Sequence, residues 1–383
     1  MLNTDARQDM PQNEDEAIRY ERRKLMVGTA SMAITLVVAF LFLFLEGTHA
    51  LRDLAESWTF NTPAAITVYV LIVGAVMELL DLPLQYYSGY VLERQFSLSR
   101  LSRRDWALDW LKGLTVQAAF GLLAVQAIYA ALRAFPDTWW IISSVGFVLF
   151  TVVLTGLAPL LLFRIFFKFE PLQDEELKER LLRLSERLGV SVRGVYVWKL
   201  GDKTRRANAA LAGWGRSRRM LLADNLISEH TQDEIEVVMA HELAHQVHGD
   251  IWRALAVRGV LVFVSFYAVH LALTAWSEPL GFRGISDFAN LPLLGLVTGA
   301  VTMLALPLAN WHSRRAEKQA DLYALEATGM SEEFMSAMSR LADQNLARRR
   351  PNPVVEFIFH SHPSVQRRID FAREWQARAG HAA

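Results

Sequence analysis

The sequence predicts a mainly α-helical, multi-pass membrane protein with about six transmembrane helices and a polar part that carries a small β-sheet. The chain has 383 residues, of which 52% are hydrophobic and 21% charged, and its mean hydropathy is positive. The apolar residues collect in uncharged stretches of about 20 residues, the length that an α-helix needs to cross ~30 Å of hydrocarbon. Polar segments that interrupt and follow these stretches contain short strand-like runs.

Six stretches meet the length criterion for a membrane span. A charged tail precedes the first stretch and no small-residue cleavage site follows it, so we expect a retained span and not a signal peptide. The alternative for that stretch, a buried core helix, is disfavoured by its length without a charge. The six are Leu25–Leu45, Ser57–Leu84, Gly113–Leu132, Trp139–Phe163, Gly259–Ser277 and Phe288–Trp311. The second is uncharged as far as Met77 and continues past Glu78 and Asp81.

Lysine and arginine are distributed unevenly among the loops between these stretches. Five precede Leu25 and five lie between Val91 and Lys112, whereas the loops 46–56, 133–138 and 278–287 hold one each. Because short cytoplasmic loops carry the excess of positive charge, this pattern predicts that both termini and the polar segment 168–253 are cytoplasmic. We expect the protein in the cell membrane, which is the inner membrane if the cell is bacterial.

The overall charge and the cysteine count exclude several classes of site. The formal net charge is zero, so no nucleic-acid partner is expected. The chain has no cysteine, which excludes disulfides, thiolate zinc ligands and a cysteine nucleophile. Any metal must therefore be held by histidine and carboxylate side chains.

These observations divide the chain into five parts. In order they are a cytoplasmic tail, four spans, a catalytic segment, two further spans and a second cytoplasmic segment. Within the catalytic segment, leucines at helical spacing predict a helix from Asp174 to Gly189, and apolar runs predict strands at 194–200, 208–215 and 219–227. The five parts are residues 1–24, 25–165, 166–252, 253–311 and 312–383.

One predicted helix contains the sequence HELAH. Thr231 and Glu234 have the spacing of a capping box, which predicts that a helix begins there and runs to Gly249. His241 and His245 lie four residues apart, so their imidazoles share one helical face, and Glu242 beside them can accept the proton of an attacking water. This is the spacing of a zinc protease; the alternative is two surface histidines on an amphipathic helix.

A catalytic zinc of this kind needs a third protein ligand. Beyond the last span, Glu317 and Asp321 are four residues apart on one predicted helical face. Glu317 completes a His, His, Glu set, and Asp321 can accept a hydrogen bond from a ligand imidazole. The alternative is a solvated acidic face, which is disfavoured because this helix leaves the membrane on the side predicted for His241.

These motifs, together with the late run HSHPS at 360–364 and Arg368–Ile369, resemble the type I CAAX prenyl proteases, which are integral-membrane zinc metallopeptidases of the gluzincin kind. The run 82–104 is also similar, and matching pieces extend over three quarters of the chain, from Leu82 to Ile369. The resemblance implies a cytoplasmic gluzincin-type zinc protease domain that carries the small sheet.

The resemblance also implies roles for residues that the spacing alone leaves as ordinary surface positions. Asn208 and Ala209 would lie on an edge strand that pairs with an extended substrate. His362 would stabilise the oxyanion, and Arg368 would order the site or bind a substrate carboxylate. The chain departs from eukaryotic members in having six predicted spans where seven are usual, which leaves open whether the helices enclose a chamber.

Two further histidines have competing interpretations. His248 follows His245 by three residues and is an alternative ligand, although Glu317 fits the family pattern better. His270 lies inside a span and is expected to be packed and hydrogen-bonded.

The predicted activity is a metalloendopeptidase that uses one zinc ion, with Glu242 as general base and Asp321 and His362 as supporting catalytic residues. Its expected partners are the bilayer and a peptide or protein substrate, either lipidated or embedded in the membrane. One alternative is a quality-control protease of the heat-shock type, and another is a catalytically silent membrane scaffold. Cobalt and manganese suit the same ligands, and the oligomeric state is not predicted.

Overall fold

The computed structural model describes residues 12–382, and within them the chain is built from α-helices and one small sheet. The helix Leu291–Thr328 runs without a break from the spanning part into the catalytic part. The α-helices are α1 Gln12–Phe44, α2 Gly47–Ser57, α3 Thr62–Tyr86, α4 Leu92–Gln95, α5 Arg103–Ala134, α6 Trp139–Phe166, α7 Glu175–Arg187, α8 Asp224–Glu229, α9 Gln232–Val247, α10 Asp250–Trp276, α11 Leu291–Thr328, α12 Ser331–Asn345, α13 Pro353–Phe359 and α14 Val365–Ala382. The strands are β1 Phe169–Pro171, β2 Val195–Trp198, β3 Ala209–Ala212 and β4 Arg219–Ala223.

Six helices within residues 12–382 are long and apolar enough to cross a membrane, as predicted. They are the helices α1, α3, α5, α6, α10 and α11, and the second span, α3, is extended through a π-helical turn, Tyr87–Val91, into α4. Each packs against two others, so that the six form a closed ring in the order α1, α3, α5, α6, α10, α11. A seventh helix is therefore not required to close the ring.

The first helix begins well before the first predicted span. Residues 12–24 of the predicted tail belong to α1, while residues 1–11 lie outside the described residues. The Tyr20 hydroxyl donates to Glu93 Oε1 at 2.6 Å, and Lys24 Nζ lies 2.8 Å from the same oxygen. Arg206, just before β3, also donates to Glu93, at 2.9 Å. Contacts with distant segments thus explain why this charged stretch is an ordered helix.

The loop predicted between the first two spans is the helix α2. Its Arg52 is buried and lies 2.5 Å from Asp287 in the loop between α10 and α11. This buried ion pair joins the two segments at the end of the ring remote from the sheet. No local sequence pattern predicts this ion pair, because Arg52 and Asp287 are 235 residues apart in the chain.

The predicted small sheet is confirmed, with the strand order β1-β2-β4-β3. β2 and β4 are parallel, and β3 is an edge strand paired antiparallel to β4. The strand predicted at 219–227 ends early, and residues from Asp224 onward form α8. Asp224 Oδ1 accepts the backbone N–H groups of Leu200 at 3.1 Å and Gly201 at 2.7 Å, which turns the chain away from the sheet.

The helix α9 lies at the centre of the catalytic part. Its predicted capping box is present: Thr231 Oγ1 accepts the Glu234 N–H at 3.2 Å, and Glu234 Oε2 accepts the Thr231 N–H at 2.9 Å. The helix packs between α7, the sheet, α11 and α12, and most of its residues are buried. It ends at Val247, and Gly249, two residues further on, has a φ of 67° in the left-handed region that favours glycine.

Candidate metal centre and catalytic cavity

Two helices bring the predicted metal ligands together. His241 and His245 project from one face of α9, with ring centroids 4.9 Å apart and planes nearly perpendicular at 87°. The last span, α11, continues past the membrane without a break and carries Glu317 to the same point. Glu317 Oε2 lies 3.3 Å from His241 Nε2, and Oε1 lies 3.5 Å from His245 Nε2.

The donor atoms of these three residues fit a single cation. One atom from each lies within 4.8 Å of the other two. Glu317 Oε2 is buried and, among the described residues, accepts no hydrogen bond of acceptable angle, although it lies 2.9 Å from His362 Nδ1. A buried carboxylate oxygen without a donor costs free energy unless a cation or a water satisfies it. Two imidazoles and one carboxylate are a donor set that binds zinc and leaves a coordination position open.

Each histidine of this set is oriented by a second carboxylate. His241 Nδ1 lies 2.9 Å from Asp321 Oδ1. His245 Nδ1 lies 2.8 Å from Asp250 Oδ2, a contact that the sequence analysis missed. Both imidazoles therefore direct Nε2 toward Glu317, the arrangement in which a carboxylate fixes the tautomer and raises ligand basicity.

Arg368 lies behind this layer. Its guanidinium donates to both Asp321 oxygens, at 2.9 and 2.6 Å, and its side chain is only 13% exposed. The pair is bidentate, the geometry that fixes a carboxylate most firmly. The structure thus brings Arg368 to the metal centre and places it against Asp321.

The acid–base properties of the site follow from its burial and its carboxylates. Burial alone would lower the pKa of His241, but the neighbouring carboxylates of Asp321 and Glu317 outweigh burial and raise that pKa to about 9. Burial raises the pKa of the Glu242 carboxyl above its usual range. A carboxylate with a raised pKa is a better proton acceptor, which suits a general base.

His362 approaches Glu317 from the loop between α13 and α14. Its side chain is 62% exposed, far more than those of the three candidate ligands and Arg368. An imidazole in that position can reach a group that enters from the cavity. Its neighbour His360 lies 3.4 Å from Glu21 of α1, which ties the same loop to the first helix.

A cavity of about 550 Å³ opens above the candidate metal centre. Glu242, His362 and Arg368 line it together with the three candidate ligands, as do Ala209, the first residue of the edge strand, and Asn208 before it. Asn345 Oδ1 accepts the Ala207 N–H at 3.1 Å and fixes the start of that strand. The structure therefore gathers every predicted site residue except Asp321 around one cavity.

Three positioning contacts escaped the sequence analysis: Asp250 on His245, Asn345 on Ala207 and Glu93 on Arg206. Asp250 directly follows Gly249, where the helix breaks. An acidic residue at such a break could have indicated the contact with His245. His248 stacks edge-on against Tyr323 at 5.3 Å and takes no part in the ligand set. His270 accepts a hydrogen bond from Trp139 at 3.2 Å, as expected for a packed histidine.

Comparison with known proteins decides the family. The sequence model of peptidase family M48 matches residues 171–376, more than half of the chain. The chain belongs to this family. A second model, described as CAAX prenyl protease N-terminal, five membrane helices, matches residues 5–168. Four candidate spans begin in the described part of that range.

Individual M48 relatives match most of the chain. CAAX prenyl protease 1 of Saccharomyces cerevisiae is 28% identical over 330 residues, covering 81% of this chain and 72% of that protein. The uncharacterized metalloprotease YhfN of Bacillus subtilis is 26% identical over 310 residues, covering 80% and 72%. The crystal structure of S. mikatae Ste24p superposes with a TM-score of 0.85 at 21% identity, covering 96% and 90%, and shows the same fold. The resemblance to type I CAAX prenyl proteases is confirmed, and the M48 chain is a multi-pass membrane metalloendopeptidase.

Proposed function

We propose that this protein hydrolyses peptide bonds at a zinc ion held by His241, His245 and Glu317. The observation that carries the proposal is the convergence of these three side chains within 4.8 Å, from helices more than seventy residues apart in sequence. Without cysteine ligands, a His, His, Glu set is typical of catalytic zinc. Bound there, zinc supplies Lewis acidity that activates water and polarises a carbonyl group.

Glu242 is the general base of the proposed reaction. It lines the cavity directly beside the ligand His241, and its raised pKa favours uptake of a proton from the attacking water. The same carboxyl then donates that proton to the leaving amine. Asp321 and Asp250 hold the two imidazoles in the ligand tautomer while this occurs.

His362 and the edge strand complete the site. His362 is exposed to the cavity and supports the negative charge that develops on the carbonyl oxygen. Ala209 presents its backbone to an extended peptide, which adds to the sheet as a further strand, while Asn208, whose carbonyl oxygen accepts the Ala223 N–H, lines the cavity beside it. Arg368 is buried against Asp321, which supports an ordering role over contact with a substrate carboxylate.

For the substrate, we infer a C-terminal peptide that carries a prenyl lipid. Support comes from the name of the yeast relative, CAAX prenyl protease 1, and from the ring of apolar helices beside the cavity. Cleavage of unlipidated membrane proteins uses the same chemistry. Peptides with and without the prenyl group, offered to purified protein, distinguish the two.

We further propose that both termini and the catalytic cavity face the cytoplasm. The excess of lysine and arginine in the tail and in the segment 91–112 supports this orientation. The five parts of the chain proposed from the sequence keep their order under this topology. The boundary between the fourth and fifth parts falls inside α11, because the last span and the segment that carries Glu317 are one continuous helix.

The decisive variant is Glu242→Gln. It should retain zinc, because no ligand is altered, and lose about 10²- to 10⁴-fold in peptide cleavage with the general base gone. Glu332→Gln, on the exposed face of α12, is the matched control and should cleave at the wild-type rate. Zinc content is measured by atomic absorption on the same preparations. Wild-type cleavage by Glu242→Gln, or a stable protein that binds no metal, would show the proposal to be wrong.

A further inference from the structure

A second groove lies behind the metal centre, outside the catalytic cavity. It has a volume of about 510 Å³ and runs between α11 and α14. The Arg368–Asp321 pair lines it and separates it from the catalytic cavity, which Arg368 also lines. No step of the proposed hydrolysis uses this groove.

The α11 wall of the groove continues a stripe of residues that faces lipid. Leu304, Leu308 and Trp311 are 83%, 61% and 49% exposed and lie on one face of the spanning helix. Arg315 and Lys318 follow on the same face at spacings of four and three residues. The order along the helix is thus apolar, then aromatic, then cationic, as at a membrane–water interface.

Neither Arg315 nor Lys318 is neutralised within the part of the chain that is described. The Arg315 guanidinium lies over the Trp311 ring at 5.9 Å, and the Lys318 ammonium lies over the Phe371 ring of α14 at 5.2 Å. Among residues 12–382, no carboxylate lies within 4 Å of either cation. Arg367, on the α14 side, makes only a 3.6 Å contact with Glu356 and is 65% exposed.

The carboxylates of the groove do not compensate these cations. Each already has a basic partner among the described residues: Asp321, Glu356, Asp370 and Glu374. The positive charge that remains free is therefore that of Arg315 and Lys318, which lie at the mouth beside the lipid-facing stripe.

The short helix α13 adds exposed apolar residues beside the lipid-facing stripe of α11. Asn310 and Arg314 of α11 donate to carbonyl oxygens at the end of α13, at 2.6 Å each for Ile358 and His360. The outer face of α13 exposes Val354 and Phe357, at 63% and 52%. A short helix with an apolar exposed face, fixed beside the interfacial end of a span, is placed to lie against the membrane surface.

We propose that this groove binds the phosphate of an anionic phospholipid from the adjacent leaflet. Arg315 and Lys318 contact the phosphate, Arg367 closes the groove from α14, and the acyl chains run along Leu304, Leu308 and the α13 face. Anionic lipids at a membrane surface attract lysine and arginine side chains, and each such cation strengthens binding by about fivefold. A lipid in this position contacts the Arg368–Asp321 pair from the side opposite to the metal.

The test measures lipid retention by native mass spectrometry. The full-length protein is released from phosphatidylcholine nanodiscs doped with phosphatidylglycerol, and the bound phosphatidylglycerol is counted. Wild type should retain it in preference to phosphatidylcholine, and Arg315→Gln/Lys318→Gln should bind it about 25-fold more weakly, at about fivefold per cation. Lys178→Gln/Arg183→Gln removes two cations from α7, which lies outside the groove, and should match wild type.

Three results would overturn the assignment. They are equal retention by Arg315→Gln/Lys318→Gln, equal retention of phosphatidylcholine, and displacement of the lipid by excess inorganic phosphate, which would show a free-phosphate site. If the double variant does not fold, Lys318→Gln alone decides, with an expected loss of about fivefold. The readout is binding and not cleavage, so failure here leaves the proposed peptidase activity untouched.

Discussion

His245 Nδ1 lies 2.8 Å from Asp250 Oδ2, so the second candidate metal ligand is oriented by a carboxylate just as His241 is by Asp321. The contact forms across the break between α9 and α10, where Gly249 turns the chain so that Asp250 faces back toward the helix it follows. The positive φ of this glycine thus serves the metal centre as well as the end of α9.

Replacing Asp250 with Asn should weaken zinc binding. The amide cannot stabilise the Nδ1–H tautomer as a carboxylate does, and loss of such a partner typically costs 10- to 100-fold in affinity. Chelator competition with the purified protein measures this. Arg253→Gln removes the other charged neighbour of Asp250, 3.6 Å away, and should leave zinc affinity unchanged. Equal affinities for Asp250→Asn and Arg253→Gln would argue against the orienting role.

Arg368 should contribute to stability through its buried pair with Asp321. Removing one partner of such a pair leaves the other charge buried, which typically costs about 3–5 kcal/mol in the free energy of unfolding. Thermal unfolding in detergent should show a large loss for Arg368→Ala and a partial recovery for Arg368→Lys, which keeps the charge but not the bidentate contact.

Arg373→Ala is the control for that measurement, because Arg373 forms an ion pair with Asp370 at the exposed surface. A surface pair of this kind contributes about 0–1 kcal/mol. If the two alanine variants unfold at the same temperature, the Arg368–Asp321 pair does not stabilise the fold.

Zinc binding should depend on pH through His241. Its pKa in the metal-free protein is raised to about 9, so the imidazole carries a proton at neutral pH, and zinc must displace it. Apparent affinity should therefore rise by about tenfold per pH unit for this one proton and level off above pH ~9. Calorimetry in two buffers of different ionisation enthalpy measures the protons released. Binding with no release near neutral pH would contradict the prediction.

The edge strand offers a backbone test of substrate binding. Asn208 O accepts the Ala223 N–H at 2.9 Å, and Ala209 pairs with Leu222, so alternation along β3 directs the N–H of Leu211 toward the free edge. Leu211→Pro removes that donor without removing a hydrogen bond to β4. We expect a higher KM for peptide and unchanged zinc content.

Leu211→Ala is the matched variant, since it loses the side chain but keeps the donor. Its KM should stay near that of wild type. If Leu211→Ala and Leu211→Pro impair cleavage equally, the side chain and not the backbone determines binding at this position.

Much of the fold followed from local patterns. The six spans, the capping box at Thr231 and Glu234, and the two imidazoles on one face of α9 all depend on residues within a few turns of each other. The strand expected at 219–227 was wrong beyond Ala223, because Asp224 accepts hydrogen bonds from residues more than twenty positions earlier. The helix α2 and the ordered start of α1 were missed for the same reason, since Asp287 and Glu93 are distant partners.

By itself, the sequence determined which segments cross the membrane and which residues can bind a metal, because hydrophobic length and helical spacing are properties of short stretches of chain. Only the tertiary structure decided that Glu317 meets the two histidines, that Asp250 orients one of them, and that Arg368 faces Asp321. Those contacts depend on the angle and depth at which α9, α11 and α14 pack, and packing is set by the whole core at once.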